Sequence, residues 1–139
     1  SCPQAGLSVE PDIVFVSKAS LASGRIRNMA KSSRPDPFVE LEGPPDLIVE
    51  VVSDSSARKD IKVFPKAYFA AGVTEYWIVD ARGEILQFQI LNRGEAGYED
   101  TPADAEGYLR SEVLKHRFKL VRERDEIRIW EYALLTEAV

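Results

Sequence analysis

The order of elements along the chain predicts an α/β (α+β) domain built on a mixed central β-sheet. Three observations carry this. First, an apolar, β-branched run, LIVEVVS (47–53), is followed by a helix-forming stretch and then by EYWIVD (75–80). A strand–helix–strand unit of this kind closes as a right-handed crossover, which makes the two strands parallel. Second, the turn ARGE returns the chain through EILQFQIL (84–91), and a hairpin partner is antiparallel, so the sheet is mixed. Third, 139 residues with 45% hydrophobic and 29% charged residues make one domain, 1–139, with apolar material for a core that needs no disulfide staple.

In chain order, DIVFVS (12–17) is β-branched and aromatic and reads as a strand. Residues 18–37 form a long excursion of Ser, Gly, Pro and cations, with a helical turn near Ala19–Ala22. FVEL (38–41) reads as a short strand, and Gly43-Pro44-Pro45 breaks the chain before the strongest strand, 47–53. Ser53-Asp54-Ser55-Ser56 offers caps for a helix from about Ala57 to Ala71, kinked or restarted at Pro65 and stopped at Gly72. Residues 92–107 are acidic, Gly-rich and loop-like. The tail alternates apolar pieces with turns, as short strands and a terminal docking segment anchored by Trp130.

The single cysteine, Cys2, excludes an internal disulfide framework and a Cys-rich zinc site and fits a reducing cytoplasm. The single histidine, His116, excludes two-histidine metal sites, and its place in Lys115-His116-Arg117 reads as surface. No apolar run reaches the ~18 residues that a membrane span needs, so no membrane partner is expected. The short polar opening suggests that the chain starts inside a larger protein.

A net charge of −5 does not suggest a nucleic-acid binder, but its distribution is uneven. No acid lies between Asp12 and Asp36, where Lys18, Arg25, Arg27, Lys31 and Arg34 are found. Every charge from Asp36 to Asp54 is negative, and Arg58, Lys59, Lys62 and Lys66 follow. Phosphate attracts the cations and a metal ion the carboxylates; a solvated surface of mixed charge is the blander account.

Glu50 interrupts a run that reads as a strand buried on both faces. Alternation puts Asp46, Ile48, Glu50 and Val52 on one face and Leu47, Val49 and Val51 on the other. A buried carboxylate is costly unless it is paired or holds a metal. Glu50 is therefore either a partner for a helix cation such as Arg58 or a metal ligand at a strand end. Two Pro-Asp pairs, Pro11-Asp12 and Pro45-Asp46, open the strands concerned.

LSVEPDIVFV, PPDLIVEVVSDSSARKD, Tyr68 and AGVTEYWIVDARG together resemble the Uma-two family, within the PD-(D/E)XK nuclease-like superfamily and abundant in bacteria. The resemblance covers most of the chain and is strongest over residues 45–83. It implies a restriction-endonuclease-like fold, with a mixed central sheet flanked by helices, and a divalent-metal site. It also implies a helix and strands before the first Pro-Asp pair, which this sequence does not show. Asp12 matches the family's first acid and Glu50 the acid of the (D/E)XK strand. Two residues on stands Val52 rather than Lys; the family moves its lysine to the following helix, commonly to the position occupied here by Phe64. Lys59, near the helix start, is favoured as the substitute over Lys62.

The implied chemistry is phosphodiester hydrolysis on DNA. Mg2+ (or Mn2+) takes oxygen ligands, here Asp12, Glu50 and the backbone carbonyl of Val51, with Asp46 as an auxiliary acid. A metal-bound water would be the nucleophile, Lys59 or Lys62 would offset developing charge, and the arm of Lys18, Arg25, Arg27, Lys31 and Arg34 would hold the DNA backbone. A homodimer is compatible with such a domain. The alternative is a catalytically silent nuclease-fold protein that binds DNA or acts as an interaction module, which the Phe64 departure favours.

Overall fold

A computed structural model describes residues 11–30, 39–55 and 62–139 of the chain. Its elements are β1 (Ile13–Phe15), α1 (Lys18–Ala22), β2 (Arg27–Ala30), β3 (Val39–Glu42), β4 (Leu47–Val51), α2 (Phe64–Ala71), β5 (Glu75–Asp80), β6 (Gln87–Arg93), β7 (Tyr98–Asp100), β8 (Leu109–Ser111), β9 (His116–Arg124) and β10 (Trp130–Ala138). The central sheet has the order β1-β4-β5-β6-β7. β4 and β5 are parallel, while β1 is antiparallel to β4 and β6 to β5, so the sheet is mixed as the sequence predicts. Two smaller sheets are β10-β9-β8 and the pair β2-β3.

The alternation in β4 and β5 divides the core into two layers. Ile48, Val52, Tyr76 and Ile78 meet Tyr68 of α2 and Val73 on one face. On the other, Leu47, Val49, Trp77 and Ile90 meet Leu109 of β8 and Phe118 of β9. Both faces of the parallel pair are thus dry, which explains why LIVEVV and EYWIVD lack a polar side. Among the described residues the cover of the two faces is divided between helix and strand. α2 covers one face, whereas β8 and β9 cover the other, because Leu109 and Phe118 supply the apolar cover there.

Helix α2 starts at Phe64 with proline in its first turn, where a missing N–H costs nothing. It ends on Gly72, whose φ of 95° is the left-handed stop that glycine adopts without strain. The expected helix start at Ala57, and Ser56 among the four cap candidates, lie outside the described residues. Three regions depart from expectation. β2 lies within the polar excursion and pairs with β3. β7 lies within the acidic stretch and pairs with β6. The tail forms one long hairpin, with β9 and β10 in register from Arg124↔Trp130 to His116↔Ala138, rather than short strands. No helix among the described residues is long and apolar enough to cross a membrane.

Candidate metal site at the end of β4

β1 runs antiparallel to β4 with Ile13 opposite Val49. One further step of that register leads from Asp12 to Glu50, so the residue before β1 meets the last residues of β4. Asp12 is held there by its own side chain, whose Oδ2 accepts the Val51 N–H at 2.7 Å. That bond uses one of the roughly four lone-pair sites of a carboxylate. Glu50 is 6% exposed, and its Oε1 accepts a hydrogen bond from the Tyr68 hydroxyl at 2.9 Å. Tyr68 is 1% exposed and packs against Tyr76 and Phe64, with ring centroids 5.3 and 5.6 Å away. Two acids 38 positions apart in sequence are thereby brought to the same strand end, one fixed by a backbone amide and the other by a buried phenol.

The other expected residues are placed as follows. Asp46 lies at the opposite end of β4, about four residues or ~13 Å from Glu50 along an extended strand. Its carboxylate accepts the Ser17 N–H at 2.8 Å and the Ser20 hydroxyl at 2.9 Å, and lies 3.5 Å from Arg25. It secures the start of α1 and is not brought to the site. Arg25 also donates to the Gly72 carbonyl at 2.8 Å, and Arg27 pairs with Glu42. Lys18 is exposed on α1. Lys62 is exposed just ahead of α2. Lys59, Lys31 and Arg34, and Arg58 as a partner for Glu50, lie outside the described residues. Phe64 is one helical turn before Tyr68 and packs into the layer that holds Glu50.

Donor chemistry bears on the metal. Asp12, Glu50 and the Val51 carbonyl are hard oxygen donors, and Mg2+ is satisfied by one or two carboxylates with water or phosphate completing its shell. The described residues contain no group of three or more His, Cys, Asp and Glu arranged to hold a metal, so the candidate set is the two-carboxylate kind.

Sequence reasoning missed two acids, Asp80 at the site's end of the β4–β5 pair and Glu75 at the opposite end, beside Leu47. Asp80 ends β5 and clamps Arg82, which donates to it through Nε at 2.9 Å, Nη2 at 2.9 Å and its backbone N–H at 3.1 Å. Arg82 also reaches Asp54, 3.5 Å away, which ties the segment leaving β4 to the turn leaving β5. Asp80 and Arg82 line a cavity of about 320 Å³ with Gly83, Ile85 and Gln87. The Arg82 hydrogen bonds hold the Asp80 carboxyl below its ordinary value, against the opposing effect of burial. A carboxyl lowered on folding stabilises above its unfolded value, near pH 4, and loses that contribution as pH falls through the lowered one. Acid titrations of unfolding should therefore show a shallower loss of stability in Asp80→Asn than in the parent. Glu75 is the second missed acid, 0% exposed on the β8–β9 side. Its two oxygens accept from the Trp77 indole at 2.6 Å and the Val113 N–H at 3.0 Å.

No curated protein gives a significant match to the chain. A family model described as Uma2, putative restriction endonuclease, matches residues 2–121, which takes in β1, β4, α2, β5 and most of β9. With the mixed sheet, the parallel β4–β5 crossover and an acid at each of the two matching strand ends, the fold is restriction-endonuclease-like and the chain belongs to the Uma2 family.

Proposed function

We propose that the chain is a metal-dependent DNA endonuclease that hydrolyses phosphodiester bonds. The observation that carries this reading is the Asp12 carboxylate seated on the Val51 N–H, beside the buried Glu50. Asp12, Glu50 and the Val51 carbonyl would hold Mg2+ or Mn2+. When bound, the ion supplies Lewis acidity toward a phosphoryl oxygen and lowers the pKa of a water. The protein's own residues do the rest. Val51 N–H fixes the orientation of Asp12, the Tyr68 hydroxyl fixes Glu50, and the apolar layer around Glu50 strengthens electrostatics by excluding water. Lys59, with Lys62 as its understudy, balances charge that develops on the phosphate. Among the arm's described cations, Arg25 and Arg27 are engaged by acids, so backbone contact there falls mainly to Lys18, with Lys31 and Arg34.

Supercoiled plasmid and single-stranded circles, incubated with the protein in Mg2+ and in EDTA, test the reading. Nicking should require the metal, and Lys59→Ala should slow it at least ~100-fold, the loss typical of removing one charge-stabilising group, while metal binding persists. If Lys62→Ala or Lys66→Ala inactivates instead, the lysine assignment moves. If the parent binds DNA but no metal supports cleavage, the silent binding module is the function. Phe64, packed on Tyr68 where the family carries a lysine, favours that second reading.

A further inference from the structure

The two faces of the β9–β10 hairpin differ in charge. Directly opposed residues of an antiparallel pair share a face, so the register puts Phe118, Arg122, Arg124, Trp130 and Tyr132 on the side that runs from His116 to Ala138. That side contains no acid; at Phe118 it packs into the core against Trp77, and beyond the core it carries Arg124 and Tyr132 in the open. Glu123, Glu131 and Glu137 all stand on the other, where Arg117 is neutralised by Asp104, Glu106 and Glu137. Arg122 and Arg124 make no ion pair among the described residues. Both guanidinium carbons lie 4.1 Å from the centre of the Trp130 ring, and Tyr132, opposite Arg122, is 50% exposed.

Arg122 also fixes where this face sits. It donates to the carbonyls of Ala81, Gly83 and Glu84 at 3.1, 2.7 and 3.1 Å. Those carbonyls belong to the turn after Asp80, at the end of the sheet where Val51 meets Asp12. Arg122, Arg124, Trp130 and Tyr132 all lie beyond residue 121, outside the segment that matches the family.

We propose that the open end of this face, beyond the core-packed Phe118, binds an unpaired nucleic-acid strand, with Arg124 meeting its phosphates and Tyr132 stacking on a base. The inference rests on the reading that the chain acts on nucleic acid, and it names the form of substrate. Unneutralised cations draw a polyanion, and an exposed ring can stack only on a base that is not already paired. Trp130, gripped by two guanidiniums, orients Arg124 and is a positioning residue.

The test is fluorescence anisotropy of the full chain with fluorescein-labelled 20-mers of dT and of U, and with a blunt 20-base-pair duplex, in EDTA. Arg124→Glu and Tyr132→Ala together should weaken 20-mer binding at least ~10-fold, and Arg124→Ala should lower the salt slope by roughly 0.7, one single-strand phosphate contact. Tyr132→Phe should bind within about twofold of the parent, because the ring face is kept. Melting points should stay together, since both side chains are exposed. Unchanged 20-mer affinity in the double variant overturns the proposal, and it does so alone if the parent still nicks plasmid in Mg2+. An equal loss on the blunt duplex overturns the unpaired strand. A parent dimer that the double variant disrupts, with nucleic-acid affinity intact, overturns it in favour of a second copy of the chain. A parent that neither binds nor cleaves nucleic acid overturns both this inference and the reading beneath it.

Discussion

Glu50→Gln should abolish cleavage while leaving the metal-free protein as stable as its parent, or more so. The substitution keeps the shape and an oxygen for the Tyr68 hydroxyl, which donates to Oε1 at 2.9 Å. It removes one negative charge from a site where Asp12 supplies another, and without a metal like charges raise each other's cost. A metal contributes several kcal/mol to the transition state, so losing a ligand should slow cleavage by at least ~100-fold, at roughly 1.4 kcal/mol per factor of ten. Thermal melts give a second readout. At 100 times its dissociation constant a ligand stabilises by ~2.7 kcal/mol, about 10 °C for a chain of this size. The parent should show that rise on adding Mg2+ and the variant little of it. A variant destabilised by about 3–5 kcal/mol in EDTA, the cost of breaking a buried ion pair, together with no Mg2+ effect on the parent, would make Glu50 a structural partner and remove the metal site.

Glu75→Gln should do the opposite. Glu75 is fully buried and both carboxylate oxygens receive N–H donors, from Trp77 and Val113. An amide offers one oxygen, and its NH2 would confront the second donor. One charge-assisted bond is lost and a buried donor is left unsatisfied, so about 2–4 kcal/mol should disappear. Chemical denaturation should show a lower midpoint with an unchanged slope, and the Mg2+-dependent stabilisation should be as large as in the parent. Equal stability of Glu75→Gln and parent would mean that the carboxylate is not what joins β5 to the β8–β9 layer.

The two glutamates also mark where the sequence was legible. Glu50 stood out because its own strand is otherwise apolar, and that is local information. So are the β4–β5 crossover, the restart of α2 at Pro65 and its stop at Gly72. Glu75 looked like an ordinary strand start, because its burial depends on Val113, 38 residues away. Asp46 stood as an auxiliary acid for a metal, yet its partners Ser17 and Ser20 lie 29 and 26 residues back. β2 and β7 were obscured by polar, Gly-rich composition, since each owes its pairing to a neighbour strand. β10 is exposed along nearly its whole length, so no burial pattern announced a nine-residue strand. The basic arm was visible as charge, but charge counting could not show that Arg25 and Arg27 already have acids beside them.

β1 has three residues, all of them exposed, and among the described residues sits at the edge of the central sheet beside β4. Edge elements with few buried contacts open at a fraction of the free energy that unfolds a domain. Asp12 immediately precedes that strand, whereas Glu50 is carried by the strand beside it, buried on both faces. The centre is therefore assembled from the most and the least secure parts of one sheet. Warming would dismantle it by peeling β1 while the β4–β5 core persists, which separates the temperature at which the protein stops working from the one at which it melts.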